Sequence, residues 1–177
     1  MIYVSKNKLN QYVVFKLGKE IYAINIEYIV RILSDEKIRS VPNTSGEIKG
    51  IIHTEEDIAP VIDLRVKFNI KSEKKEQIPF IIICRVQQDY VVGLIVDEVI
   101  EVIEIPDEEK QIKDLNFGTS NINGKSTEYI QGIYRPNREK HEEEEKPEEL
   151  FIVLNVNKLL GLDSLEEMDQ LKDSLNE

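Results

Sequence analysis

The amino-acid sequence predicts a mostly β protein made of two similar units of about five strands each, followed by a C-terminal helix. Three observations support this fold class. The apolar residues are mostly isoleucine, valine and leucine, and they stand in short runs between turn residues, as is typical of strands. Two stretches of the chain repeat one order of apolar and small residues. The last segment, 163–177, places its apolar residues at helical spacing.

Eight runs of residues have strand character. They are Tyr12–Leu17, Ile21–Ile26, Ile48–His53, Ile58–Leu64, Phe80–Val86, Tyr90–Val96, Tyr129–Tyr134 and Phe151–Val156. The run Phe80–Cys84 is apolar at every position, which predicts a central strand that is buried on both faces. The segment between Ile26 and Leu33 fits either a helix or a short helical turn that leads into a strand.

The predicted C-terminal helix begins at a capping box, Ser164-Leu165-Glu166-Glu167, in which the serine and the second glutamate satisfy free amides of the first turn. The apolar residues of this segment form one stripe: Leu165, Met168, Leu171 and Leu175. A stripe of this kind usually packs against a core.

Two segments have the composition of loops. Residues 107–126 mix charged residues with asparagine, glycine and serine, and are predicted to contain a connecting loop. Residues 136–149 carry seven glutamates against three basic residues. Because like charges repel one another, we expect a solvated acidic hairpin tip there.

The internal repeat aligns short segments of the first half with segments of the second half. The aligned pairs are Tyr22–Glu27 with Val92–Asp97, Ile29-Val30 with Val99-Ile100, Ile32-Leu33 with Val102-Ile103, Ile48–Ile51 with Ile130–Ile133, and Val61–Leu64 with Val153–Val156. One such unit is too small to bury a core comfortably by itself. Two units packed side by side solve this problem, and their junction is a natural groove for a partner.

Composition limits the classes of function. The 177 residues are 41% hydrophobic and 32% charged, which is globular composition, and the formal net charge is −11. Nucleic acid and anionic lipid both require clustered lysine and arginine, so neither is an expected partner. No run approaches the ~18 apolar residues of a membrane span, so we expect no insertion into a membrane. The single cysteine, Cys84, excludes a disulfide framework and favours a cytoplasmic location.

The residues give little support to a catalytic, metal or cofactor site. Gly118–Ser126 resembles a phosphate-binding loop, but five residues separate its glycines instead of four, and a strand follows instead of a helix. The two histidines, His53 and His141, are far apart and have no metal-ligand spacing. Cys84 stands among isoleucines, which favours an inert buried thiol. Asp63 and Arg65 are predicted to pair structurally.

A set of short motifs resembles one known family. In chain order they are Tyr12–Gly18, Tyr22–Ile24, Val41–Gly50, Ala59–Arg65, Val92–Asp97 and Ser126–Gly132. Their number and order resemble the CheW family of bacterial chemotaxis coupling proteins, over about Gln11 to Leu162. The resemblance implies a single CheW-like domain, 1–177, with two five-stranded barrels similar to Src-homology-3 folds that share a hydrophobic interface. The implied boundaries are 11–78 for the first barrel, 79–162 for the second, and 163–177 for the C-terminal helix.

The resemblance also implies a function. CheW-like proteins are non-enzymatic adaptors that link the cytoplasmic tips of chemoreceptors to the regulatory domain of the histidine kinase CheA, in arrays beneath the membrane. By resemblance, the receptor-binding groove comprises Ile29, Gly50, Ile81, Ile82, Gly93 and Val102. Neighbouring residues of a strand face opposite ways, so we expect at most one of Ile81 and Ile82 to contact a partner. Ile29, near a predicted surface turn, is the stronger candidate.

One turn departs from the family pattern. Where the family has an arginine-containing turn that supports kinase and array contacts, this chain has His53, Thr54, Glu55 and Glu56. Glu55 reverses the charge of that arginine, and a reversed charge at an interface penalises an acidic partner. Two alternatives therefore stay open: an interaction module with an altered or lost kinase contact, and, much less favoured, a small nucleotide-dependent enzyme suggested by Gly124-Lys125-Ser126.

Overall fold

The structure, a computed structural model, describes residues 10–55, 58–71, 78–86, 90–106, 129–136, 149–160, 166, 169–171 and 173–175. This part of the chain contains ten strands. They are β1 (Gln11–Leu17), β2 (Glu20–Asn25), β3 (Ile29–Ser34), β4 (Ile48–His53), β5 (Ile58–Asp63), β6 (Phe80–Arg85), β7 (Val91–Val96), β8 (Glu98–Glu104), β9 (Ile130–Tyr134) and β10 (Phe151–Leu154). It also contains two one-turn helices, α1 (Leu64–Lys67) and α2 (Val156–Leu159).

All eight predicted strands are present in the structure. The segment between Ile26 and Leu33 fitted either a helix or a helical turn followed by a strand. In the structure it begins with a 3-10 turn, Ile26–Tyr28, that leads directly into β3. The Asn25 side chain caps this turn by accepting a 2.9 Å hydrogen bond from the Glu27 amide. Strand β8 is not among the predicted strands, although the repeat aligned its residues with those of β3.

The strands form two five-stranded sheets, which confirms the predicted fold class. Sheet 1 has the order β8-β1-β2-β10-β9, and sheet 2 has the order β3-β6-β7-β5-β4. Each sheet has one parallel pair next to its centre, β2 with β10 in sheet 1 and β7 with β5 in sheet 2. The other pairs are antiparallel.

The two repeated units exchange strands between the sheets. The first unit supplies β1–β5 and the second supplies β6–β10, and replacing each strand of sheet 1 by its counterpart gives the order of sheet 2. Each sheet therefore combines two strands of one unit with three of the other. The predicted boundaries, 11–78 and 79–162, do not separate the two sheets, because the chain crosses to the other sheet after β2 and again after β7.

The repeat extends to irregularities of the backbone. A β-bulge leaves Val30 without a partner in β3, and a second bulge does the same to Ile100 in β8. Two further bulges fall at Lys49 in β4 and Gln131 in β9. Both pairs of bulges occupy aligned positions of the repeat. The two units are therefore similar in backbone geometry as well as in sequence.

The largest core cluster lies between the sheets and contains residues from both of them, including Phe15 and Ile24 of sheet 1 and Leu94 of sheet 2. Strand β6 is buried on both faces, as predicted: Ile82 and Cys84 belong to this central cluster, whereas Ile81 and Ile83 belong to a second cluster of sheet 2. Each fully buried aliphatic side chain contributes about 1.5–3 kcal/mol to folding. The shared apolar interface therefore holds the two sheets together.

Capping side chains end two strands earlier than the sequence predicts. Asp63, the last residue of β5, accepts a 3.0 Å hydrogen bond from the Arg65 amide at the start of α1. Asn155 follows β10 and accepts a 3.1 Å hydrogen bond from the Lys158 amide, which starts α2. Both residues satisfy an otherwise free amide of the first helical turn. Leu64 and Val156 are therefore helical instead of strand residues.

The described residues of the predicted C-terminal segment, Glu166, 169–171 and 173–175, are helical. Leu171 is 9% exposed and belongs to the central cluster, as its place in the apolar stripe predicts. The hydroxyl of Tyr90 donates to the Asp169 carboxylate at 2.6 Å, which ties this helix to the start of β7. The capping box at Ser164 and the boundary at residue 163 lie outside the described residues.

Candidate partner-binding surfaces

Four of the six predicted groove residues are buried. Ile81 is 1% exposed and Ile82 is completely buried, and they belong to different core clusters because they face opposite sides of β6. Gly50 and Gly93 are buried as well. In this conformation none of the four presents a side chain to a partner. Neither isoleucine reaches the surface, and the expectation that at most one of them contacts a partner stays a prediction.

Both buried glycines are required by backbone packing. Gly50 has a φ of +151°, and a Cβ atom there would overlap the carbonyl oxygen of Arg39. That carbonyl accepts a 2.9 Å hydrogen bond from the Ile51 amide, so the chain after β3 lies directly against β4. A Cβ atom on Gly93 would lie 2.9 Å from the Ile81 Cγ2 atom and 3.3 Å from that of Val61. The glycines thus allow close approach within sheet 2.

The other two predicted groove residues reach the surface. Ile29, the first residue of β3, is partly buried and packs against the central cluster. Val102 in β8 is 55% exposed. They lie on edge strands of different sheets, β3 at the edge of sheet 2 and β8 at the edge of sheet 1. Of the predicted groove, these two residues are the accessible part.

Each of these edge strands exposes a pair of aliphatic side chains. On β3 they are Val30 and Ile32, 44% and 39% exposed, which we call the β3 patch. On β8 they are Ile100 and Val102, 42% and 55% exposed, which we call the β8 patch. These four residues are the majority of the seven exposed large hydrophobic side chains in the described part of the chain. Exposed aliphatic residues that cluster in this way are typical of protein interaction sites.

The divergent turn lies beside the β3 patch. His53 and Glu55 are exposed, and Thr54 is partly buried. One carboxylate oxygen of Glu55 lies 4.0 Å from the Arg31 guanidinium, which belongs to β3. The predicted kinase-contact turn and the β3 patch are therefore neighbouring parts of one surface. Glu56 lies outside the described residues.

A network of polar contacts centred on Arg65 of α1 joins the two sheets. Arg65 forms two 3.0 Å hydrogen bonds to the carboxylate of Asp63, which confirms the predicted pairing, and its Nη1 atom lies 3.3 Å from Asp97 Oδ1. The other Asp97 oxygen accepts a 2.7 Å hydrogen bond from the Gly18 amide, in the turn between β1 and β2. Hydrogen bonding to Asp63 raises the pKa of Arg65 above its ordinary value. We call these residues the clasp.

Of the candidate chemical groups that the structure describes, Cys84 is buried and His53 is exposed. Burial raises the pKa of the Cys84 thiol to about 12, so the reactive thiolate form is strongly disfavoured. Within the described ranges, no three side chains of histidine, cysteine, aspartate or glutamate come together as metal ligands do. The same ranges contain no helix with the length and hydropathy needed to cross a bilayer. The predicted loop with Gly124-Lys125-Ser126, and His141, lie outside them.

Four surface residues were not predicted from the sequence: Val30, Arg31, Ile32 and Ile100. The signal was available in the repeat, because Val30 aligns with Ile100 and Ile32 aligns with Val102. Aliphatic residues that recur in both units are ordinarily assigned to a core. Only the structure, in which β3 and β8 lie at sheet edges, shows that these aligned aliphatic residues are exposed in both units.

Comparison with known proteins gives one consistent family. The family model for the CheW-like domain matches residues 11–164. A chemotaxis protein CheW from Treponema pallidum is 27% identical over 165 residues, which cover 91% of this chain and 88% of that protein. A chemotaxis protein CheW from Klebsiella aerogenes is 27% identical over 164 residues, which cover 93% and 89% of the two chains.

A solved structure shares the fold. The crystal structure of the scaffolding protein TtCheW from Thermoanaerobacter tengcongensis superimposes with a TM-score of 0.68 at 26% sequence identity. The alignment covers 88% of this chain and 94% of that one. The fold described above is therefore shared with a scaffolding protein.

Proposed function

This chain belongs to the CheW-like family, and from that premise we propose that it is a non-enzymatic adaptor that links chemoreceptor tips to the regulatory domain of the histidine kinase CheA. The observation that carries the proposal is the pair of aliphatic patches on β3 and β8. An adaptor must hold two partners at once, and the patches lie on edge strands of different sheets. The proposed location is the cytoplasm, at receptor arrays beneath the membrane.

The proposed mechanism is binding that distinguishes two states of a partner. A receptor changes the activity of a bound kinase only if the assembly has different affinities for the signalling states, because contact alone shifts no equilibrium. A rigid adaptor suits this task. The central cluster and the clasp fix the two sheets relative to each other, so a movement imposed at one patch is not absorbed between them.

Binding of purified components tests the proposal. We expect the full chain to bind a cytoplasmic fragment of a chemoreceptor and a CheA regulatory domain from the same cell, and to bridge the two in one complex on size-exclusion chromatography. Imaging of a fluorescent fusion should show clusters at the membrane that require receptors. Binding to neither component would contradict the proposal. A control with nucleotide should show no binding of ATP or GTP.

A second candidate function is supported by Glu55. Its side chain is 84% exposed and is directed toward Arg31, at the place where the family carries an arginine. An acidic partner surface would be repelled there. The alternative is a scaffold that binds receptors but has lost or re-targeted its kinase contact. Binding to the receptor fragment without binding to the CheA domain would favour this alternative.

A further inference from the structure

The repeat gives each part of the clasp a counterpart in the other unit. Arg65 of α1 aligns with Asn157 of α2, and Asp97, which follows β7, aligns with Glu27, which follows β2. The turn between β1 and β2, which the clasp holds at the Gly18 amide, corresponds to the hairpin between β6 and β7. We call the set of elements at the clasp the first junction and the set of their counterparts the second junction.

The second junction does not repeat the clasp. Asn157 stands where the first junction has Arg65, and the buried Oδ1 atom of Asn157 has no hydrogen-bond partner among the described residues. Glu27 is exposed, whereas its counterpart Asp97 is partly buried and lies 3.3 Å from the Arg65 guanidinium. A buried polar atom without a partner lowers the stability of the fold. The polar contacts of the second junction are therefore the weaker ones.

The C-terminal helix supplies a different contact to the β6–β7 hairpin. Tyr90 closes this hairpin, and its hydroxyl donates to both carboxylate oxygens of Asp169, at 2.6 and 2.7 Å. We call the described part of the helix the strap; it comprises Glu166, 169–171 and 173–175. The strap follows β10 of sheet 1 in the chain, and Tyr90 precedes β7 of sheet 2. The contact therefore ties the end of the chain to the other sheet.

Few side chains hold the strap in place. Leu171 is 9% exposed and belongs to the central cluster, whereas the other residues of the strap are exposed or partly exposed. The hydrogen bond between Tyr90 and Asp169 lies at the surface. An element that buries few apolar groups opens at a lower free energy than the whole protein unfolds. The strap meets this condition.

The hairpin that the strap contacts carries the single cysteine of the chain. Cys84 on β6 lies opposite Val92 on β7, and both belong to the central cluster. Val86 and Tyr90 follow on the same faces of these strands, two residues nearer to the end of the hairpin, and they contact the same cluster. Opening of the strap therefore loosens the end of the cluster that contains Cys84.

We propose that the C-terminal helix is a releasable strap: it opens on its own at the second junction, while the clasp keeps the first junction closed, and its opening gives access to the central cluster beside Cys84. The inference goes beyond the adaptor function, because it concerns how the two sheets are held and involves no partner. At the first junction an arginine bonds two carboxylates, whereas at the second a tyrosine hydroxyl bonds one. The two equivalent junctions are therefore unequal in strength.

The reaction of Cys84 with a disulfide reagent tests the proposal. The full chain is modified at about pH 8 in several urea concentrations below the unfolding transition. If Cys84 reacts only after global unfolding, the rate rises with urea as steeply as the unfolding equilibrium. Local opening exposes little surface, so we expect a rate that depends only weakly on urea. The steep dependence would overturn the proposal.

Two alanine variants of the strap assign the opening to the tyrosine contact. Asp169→Ala removes the acceptor of the Tyr90 hydroxyl and should speed the modification of Cys84 about fivefold, with the weak urea dependence retained. Asp173→Ala removes the same charge from another exposed position of the strap and should change the rate less than twofold. Equal rates in the two variants would contradict the role of Asp169.

Amide hydrogen exchange locates the opening. The Val86 amide donates a 2.8 Å hydrogen bond to the Tyr90 carbonyl, and the Gly18 amide belongs to the clasp. In Asp169→Ala we expect faster exchange at Val86 and an unchanged rate at Gly18. Equal acceleration at both amides would show that the two junctions open together, and would overturn the proposal. Neither measurement uses receptor or kinase, so the result is independent of the binding assay for the adaptor function.

Discussion

Gly18 and Asp97 are 79 positions apart in sequence, and the Gly18 amide donates a 2.7 Å hydrogen bond to the Asp97 carboxylate. Gly18 belongs to the turn between β1 and β2 of sheet 1, and Asp97 is the one residue between β7 and β8, where the chain leaves sheet 2. The same carboxylate receives Arg65 at 3.3 Å. Asp97 thus fixes the position at which the second unit crosses from one sheet to the other.

Removal of the Asp97 carboxylate should lower the stability of the fold. Asp97→Ala removes the acceptor of the Gly18 amide and one partner of Arg65, at a cost of about 2 kcal/mol in the free energy of unfolding. Asp97→Asn keeps one acceptor and should lose about half as much. Urea denaturation measures both. Equal stability of wild type and Asp97→Ala would show that the clasp contributes nothing to the junction of the sheets.

Glycine substitutions separate backbone packing from partner binding. Gly50→Ala should destabilise the chain by more than about 3 kcal/mol, because the added Cβ atom overlaps the Arg39 carbonyl and φ is +151°. Gly46→Ala is the matched control, since no atom lies within 4 Å of its added Cβ, and it should change stability by less than about 1 kcal/mol. Thermal unfolding checks the contrast. If Gly50→Ala weakens partner binding at full stability, the buried position has a direct role after all.

An acidic substitution in the β8 patch should weaken partner binding without affecting the fold. Val102→Asp puts a charge on an apolar surface that is 55% exposed, so we expect at least a tenfold loss of affinity for the partner that docks there, at nearly unchanged melting temperature. Leu150→Asp, at a 41% exposed position outside both patches, serves as control. Ile29→Asp is a poorer test, because Ile29 also packs on the central cluster. Unaltered affinity in Val102→Asp would show that the β8 patch is not a partner-binding site.

Stability should fall at alkaline pH because of buried acids. Burial raises the pKa of Cys84 from 9.0 to about 12 and that of Tyr22 from 10.0 to about 12. These groups stay protonated in the folded chain while the unfolded chain loses their protons. Their stabilising contribution is therefore complete below about pH 9 and is lost as the pH rises toward 12, with about 4 kcal/mol lost near pH 11.

Denaturation at several pH values tests this dependence. Cys84→Ala should reduce the slope of stability against pH between 9 and 11, whatever its effect on stability at pH 7. The thiol of the native chain should also react with a disulfide reagent only as fast as the protein opens. A fast reaction at pH 8, or a slope that Cys84→Ala leaves unchanged, would contradict the buried position of this residue.

The sequence predicts eight of the ten strands, including the bulged strands β4 and β9, but leaves β3 undecided and does not predict β8. Strands such as β1 and β6 were recognised because their apolar runs and turn residues are continuous. Strand β8 has the sequence EVIEVIE, whose period of three is neither that of a strand nor that of a helix. Burial along this strand alternates at every residue, but the exposed side carries the aliphatic Ile100 and Val102 together with Glu98 and Glu104, so residue type does not follow burial. The β-bulge at Val30 explains why the segment that became β3 fitted helical spacing.

The sequence does not predict which strands belong to which sheet. The two units are similar, so strands β3–β5 find a suitable neighbour in either β2 or its counterpart β7, and no local pattern distinguishes the two choices. Of the groove residues that the resemblance implies, Val102 is exposed, whereas Gly50 and Gly93 are buried at positions where the backbone needs glycine, and a role of any of them in binding stays a prediction.

The exchange of strands has a consequence for how the chain is made. When the first unit, β1–β5, has left the ribosome, it holds two strands of one sheet and three of the other, and neither sheet has its full set of neighbours. Strand β10 pairs in parallel with β2, so β2 lacks this neighbour until β10 has been synthesised. Pairing over such sequence distances slows folding and leaves aliphatic edges uncovered meanwhile. Synthesis in the cell therefore has to reach β10 before sheet 1 has its full set of strands.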